Sequence, residues 1–213
     1  MDRRLEGLRA ATRDVHERLH LHPAFAPLMA TPANIAGYAR LIGQLHGFYT
    51  SAEAWLFAAA ERLLPELVDL QDRRKAHLLQ EDMSSLASFA AIQPGIPLGS
   101  AQAILGGMTL QGCLTRPTLL GCLYVTEGAT LGGRELGRKV APALHAAGLA
   151  GAEGRRFFLA YGARQGDMWR QFCTVLGDAA ARFTQAECGA MEAAARDLFL
   201  TMETWLTQTC TTA

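Results

Sequence analysis

The chain has 213 residues, half of them apolar, enough to bury one core as a single domain over residues 1–213. Twenty basic and twenty acidic residues cancel, which argues against nucleic acid or an anionic membrane surface as the main partner and points to a pocket as the seat of function. Five cysteines without a C-x-x-C spacing, a charged first segment unlike a signal peptide, and apolar runs far too short to span a bilayer predict a cytoplasmic protein that does not cross a membrane.

Helical periodicity is nearly continuous and strand alternation is hard to find, so the predicted fold class is all-α. Leu5, Leu8, Thr12, Val15 and Leu19 fall at three- and four-residue steps and give a first amphipathic helix that stops before His22 and Pro23. Thr31 with Pro32 reads as an N-cap and first-turn proline, opening a long helix whose stripe is Ile35, Tyr38, Ile42, Leu45, Tyr49, Ala52 and Leu56. A charged-faced helix is predicted over 68–89, then a Pro/Gly breaker and a short helix over 100–106. Residues 117–144 read as one long helix, 155–162 as a short one, another surrounds Trp169, and Thr184 with Glu187 forms a capping box opening the last.

Two constellations stand out. The helix over 117–144 carries Gly121, Gly128, Gly132, Gly133 and Gly137. Each costs roughly 0.5–1 kcal/mol relative to alanine, so either a flat ligand lies on that backbone or another helix packs closely against it. On the first helix, Arg9, Arg13, His16 and His20 form a stripe beside the apolar seam. An imidazole on a rigid helix is a good axial ligand for a haem iron, and arginines a turn or two away suit carboxylates on the same ligand. Taken alone, that stripe reads more simply as a boundary histidine and a solvated face. His20 and His22 have no carboxylate or cysteine at ligand spacing and read as surface or capping residues, and His46 as a partly buried, hydrogen-bonded one. Residues 166–170 could reach a ligand edge, although Trp169 and Phe172 fit a core stripe better.

Together, Leu8-Arg9-Ala10-Ala11-Thr12-Arg13-Asp14-Val15-His16 and Gly128-Ala129-Thr130-Leu131-Gly132-Gly133 resemble the haem oxygenase family in sequence, order and spacing. The stretch from Tyr124 to Gly133 is most similar to the bacterial branch associated with bacteriophytochromes. The resemblance implies a helical bundle with haem sandwiched between a proximal helix and a kinked, glycine-rich distal one. It implies that His16 is the iron ligand, with Arg9 and Arg13 on the propionates, Gly128, Ala129, Gly132 and Gly133 along the distal face, and Gly128 and Gly132 shaping the reaction space. A further segment containing Tyr161 and Arg164 is similar to one that turns basic residues toward the propionates. The implied reaction opens haem with dioxygen and electrons to biliverdin, carbon monoxide and ferrous iron. The electrons come from a ferredoxin or reductase, and a bacteriophytochrome is a possible bilin acceptor.

At one position the chain departs from the family's pattern. Where many haem oxygenases carry an aspartate after the first distal glycine, this chain has Ala129, and neither Glu127, Thr130 nor Arg134 is an obvious replacement. The alternative this opens is a haem-binding or haem-sensing protein of the same fold without turnover. A thiaminase-like helical bundle is a third reading.

Overall fold

The computed structural model describes residues 3–90 and 114–210, and among them there are helices and no strands. Helix α1 is Arg3–His20, and His22 then caps a single 3-10 turn, its ring accepting the Ala24 N–H. After the four-residue α2, Ala26–Met29, comes the long α3, Ile35–Leu63. Its N-cap is Asn34, whose side chain accepts the Gly37 N–H at 3.0 Å, not Thr31. Pro32 belongs to the turn before it.

The helix expected over 68–89 is shorter than its periodicity suggests. Asp69 sits at φ 60°, in the left-handed region, and 65–75 form turns, so that α4 is Ala76–Leu86. Its first N–H groups are satisfied by a distant carboxylate: Glu53 of α3 accepts Lys75 N at 2.5 Å and Ala76 N at 3.2 Å. The helix expected over 100–106 lies outside the described residues.

The glycine-rich helix is α5, Arg116–Ala146, opened by a Thr115–Thr118 capping box with Pro117 in its first turn. Helix α6, Arg156–Leu159, is shorter than the expected 155–162 because Ala160 takes a positive φ of 36°. A 3-10 turn over Gly162–Arg164 leads into α7, Gln165–Ala180, and the Thr184–Glu187 capping box opens α8, Gln185–Cys210. Helix α8 packs on both α1 and α5, and the buried residues of α3, α5 and α8 form one continuous core. No helix among the described residues is long and apolar enough to cross a membrane.

Candidate functional site

Where α8 holds α1 and α5 in the same bundle, a cavity of about 370 Å³ opens between them, within the size range of small-molecule sites. Helix α1 supplies Arg9, Thr12, Arg13, His16 and His20; α5 supplies Tyr124, Gly128, Ala129, Leu131, Gly132 and Gly133. The remaining wall is mainly apolar: Leu45 and Tyr49 from α3, Phe157 and Phe158 from α6, Trp169 from α7, Phe199 and Met202 from α8. An open, largely apolar slot with cations confined to one helix suits a flat apolar body carrying acidic substituents.

On the α1 side, the His16 ring stands edge-on to Phe199 at 5.7 Å and to His20 at 4.9 Å between centroids. Burial of the ring, and then the neighbouring His20, push the His16 pKa down, favouring the neutral imidazole, the form that ligates a metal. Thr12 is tied back to the Leu8 carbonyl at 2.7 Å, leaving the guanidinium groups of Arg9 and Arg13 as the cations of this edge. Arg9 also lies beside the Tyr124 phenol, whose pKa burial raises and Arg9 partly offsets.

On the α5 side, the glycines separate by task. A Cβ at Gly121 would run into the Met191 carbonyl oxygen of α8, and one at Gly133 or Gly137 would lie 3.2 Å from Phe158. These three permit close packing. Gly128 and Gly132 face space: the nearest atom to a Cβ at Gly128 is the Trp169 ring at 3.9 Å, and at Gly132 there is nothing within 4 Å. Ligand access and helix packing, posed as alternatives by the sequence, divide the helix between them.

The structure therefore brings Arg9, Arg13, His16, Gly128, Ala129, Gly132 and Gly133 around one cavity. It does not bring Tyr161 or Arg164 there. Arg164 forms an exposed ion pair with Asp72 at 2.7 Å, and the Tyr161 phenol donates to the Glu127 carboxylate at 2.8 Å. Positive φ at Ala160 turns the chain after Phe158, so only the first part of this segment reaches the cavity. Trp169 lines the cavity as well as packing on the core, whereas Phe172 is fully buried.

Tyr49, Tyr124, Phe199 and Met202 were not picked out from the sequence as lining residues. They lie on apolar stripes, and only tertiary placement distinguishes them from core. Of the polar neighbours of Ala129, Glu127 is buried, the Thr130 hydroxyl is bonded to the Glu127 carbonyl, and Arg134 is exposed. None of the three lines the cavity. No group of three or more metal-ligating side chains occurs among the described residues.

The family model for haem oxygenases matches residues 3–208. No curated protein matches the chain by sequence. Among solved structures, the fold resembles a haem oxygenase from Leptospira interrogans, at 18% identity, covering 98% of this chain and all of that one, with a TM-score of 0.75. It also resembles haem oxygenase-1 of the cyanobacterium Synechocystis sp. PCC6803, solved in complex with haem, at 16% identity, covering 98% and 92% of the two chains, with a TM-score of 0.68. With the family model spanning nearly its whole length, the chain belongs to the haem oxygenase family.

Proposed function

We propose that this protein binds haem in the cavity between α1 and α5 and degrades it, as a single domain, to biliverdin, carbon monoxide and ferrous iron. The observation that carries the reading is the cavity itself, with a neutral-favoured imidazole and two guanidinium groups on α1 and open backbone at Gly128 and Gly132 on α5. The lining fits the group chemically. The His16 imidazole would hold the iron, Arg9 and Arg13 would pair with the propionates, and the aromatic and aliphatic side chains would cover the ring. Bound haem supplies the dioxygen chemistry and is also the substrate.

The protein contributes orientation and exclusion. Arginines confined to α1 would fix which edge of the ring turns inward, and so which ring position is presented for oxidation. Gly128 and Gly132 let α5 approach the ring plane without a Cβ in the way. With a methyl group at Ala129 and the Glu127 carboxylate bonded to Arg73 away from the cavity, no α5 carboxylate lines the site, and proton delivery would fall to ordered water held by other groups. A ferredoxin or reductase would supply the electrons, and a bilin-binding photoreceptor would be one acceptor of the product.

Ala129 favours one second reading, a haem-binding or haem-sensing protein without turnover. Aerobic incubation of the haem complex with a reductase or ascorbate separates the two. Loss of the Soret band with formation of biliverdin is expected, and the isomer formed reports the orientation. A stoichiometric complex whose Soret band persists with no bilin formed would establish the binder instead.

A further inference from the structure

Outside the cavity, a large polar cluster of buried side chains is centred on Glu127, and nothing in the proposed turnover uses it. The Glu127 side chain is 1% exposed and accepts Arg73 Nη1 at 2.5 Å, Lys75 Nζ at 2.9 Å and the Tyr161 hydroxyl at 2.8 and 3.0 Å. Arg73 donates onward to Gln171 Oε1 at 2.7 Å and to the Met168 carbonyl at 3.4 Å, and Lys75 Nζ to the Arg73 carbonyl at 2.9 Å. Behind them, the Glu53 carboxylate holds the backbone N–H groups of Lys75 and Ala76. One hub thus ties together α3, the start of α4, α5, the segment after α6, and α7.

Burying this many formal charges is expensive, and an apolar cluster of the same volume would often be no less stable. What directional bonds offer that apolar packing does not is a fixed spacing, and the hub sits where spacing matters. Glu127 immediately precedes Gly128, and Met168 immediately precedes Trp169; Gly128 and Trp169 both line the cavity, and a Cβ on the glycine would meet the Trp169 ring at 3.9 Å. Gly128 and Gly132 themselves offer no side chain to that spacing, and on the cavity side α5 meets α7 through Tyr124, whose ring lies 5.9 Å from that of Trp169. The hub adds directional bonds between the same two helices from behind, through Arg73 to Glu127 on one side and to Gln171 and the Met168 carbonyl on the other.

We propose that Glu127 is a positioning residue: through Arg73 and Lys75 it sets how far the Gly128–Gly132 face stands from Trp169 of α7, and so the room available over the ligand. The relevance to haem rests on the function proposed above, whereas the spacing itself can be read without ligand.

The test compares wild type with Glu127→Gln, with the charge-balanced pair Lys75→Met/Glu127→Gln, and with Leu144→Ala. Leu144 is buried in the same helix but does not line the cavity, so its truncation costs stability without touching the hub. In ligand-free protein labelled with fluorotryptophan, the Trp169 resonance, assigned by Trp169→Phe, is expected to shift in both hub variants and to stay in place in Leu144→Ala. In the haem complex, the C–O stretch of the ferrous carbon monoxide adduct is expected to shift in the same two proteins. Their haem Kd should rise roughly tenfold or more, the range typical of lost outer-shell partners.

A Trp169 resonance unmoved in Glu127→Gln overturns the proposal, and so does a double variant whose resonance returns to the wild-type position, which would make the hub a matter of charge balance alone. Should Glu127→Gln fail to fold, Tyr161→Phe, which removes a single donor, is read against the same two criteria. A wild-type protein that binds no haem would overturn the proposed function, leaving the Trp169 measurement to decide the role of Glu127.

Discussion

The five glycines of α5 look alike in sequence and are expected to respond differently to the same substitution. At Gly121 a methyl group would collide with the Met191 carbonyl, a backbone atom that cannot rotate away, so Gly121→Ala should separate α5 from α8 and cost about 1–3 kcal/mol or more. At Gly132 a methyl group enters open space, and removing a helical glycine gains roughly 0.5–1 kcal/mol. Gly132→Ala should therefore raise the stability of the ligand-free protein in urea unfolding while weakening haem binding by titration. A variant that is both more stable and as tight a haem binder as wild type would remove Gly132 from the ligand face. For His16, replacement by Ala should abolish the spectrum of histidine-ligated ferrous haem, with no recovery from His20. Retention of that spectrum would move the ligand to another imidazole.

At the level of elements, what the sequence conveyed was local. The three- and four-residue stripe of α1 and the Thr184–Glu187 box of α8 are short-range patterns, and the helices stand where those patterns put them. Thr31-Pro32 resembled a helix start for the same local reason, but Asn34 forms the cap. Helix α4 shows why the rest was not legible. Its first N–H groups are capped by Glu53, more than twenty positions earlier, and no local pattern announces a cap from another helix. The site was legible to the same extent: the Arg9–His16 stripe and the glycine motif lie on single helices, whereas Tyr49, Phe199 and the hub partners Arg73 and Lys75 join only through tertiary contact. The Glu53 cap is itself testable. Glu53→Ala leaves two backbone donors without their acceptor, and should cost about 1–3 kcal/mol and speed hydrogen exchange at Lys75 and Ala76. Unchanged exchange there would mean that α4 starts without it.

At the scale of the whole molecule, the buried carboxyls of Asp82 and Glu53 set a pH dependence opposite to that of the surface Asp14–Arg196 pair. Asp82, with no exposure, accepts Arg156 N at 2.8 Å and Phe157 N at 2.9 Å, joining α4 to the segment that carries Phe157 and Phe158 into the cavity wall. Burial pushes its pKa up to about 6, against the pull of those two N–H groups; burial also raises Glu53. A carboxyl raised in the folded state stabilises fully below its unfolded pKa and loses that contribution as pH rises through the folded value. For Asp82 the window runs from about 4 to about 6 and is worth about 3 kcal/mol. Asp14, lowered to about 2 by Arg196, works in the other sense, losing its contribution as pH falls, and so do His16, His22 and His46, whose pKa values burial depresses. A single melting curve against pH mixes these opposing contributions, but the difference between wild type and Asp82→Asn isolates one of them. Asparagine cannot titrate, so the stability of the variant relative to wild type should climb by about 3 kcal/mol between pH 4 and pH 7, whatever constant cost the substitution carries. A difference that stays level over the same interval would show that the two backbone N–H bonds outweigh desolvation, and that Asp82 is held as a carboxylate throughout.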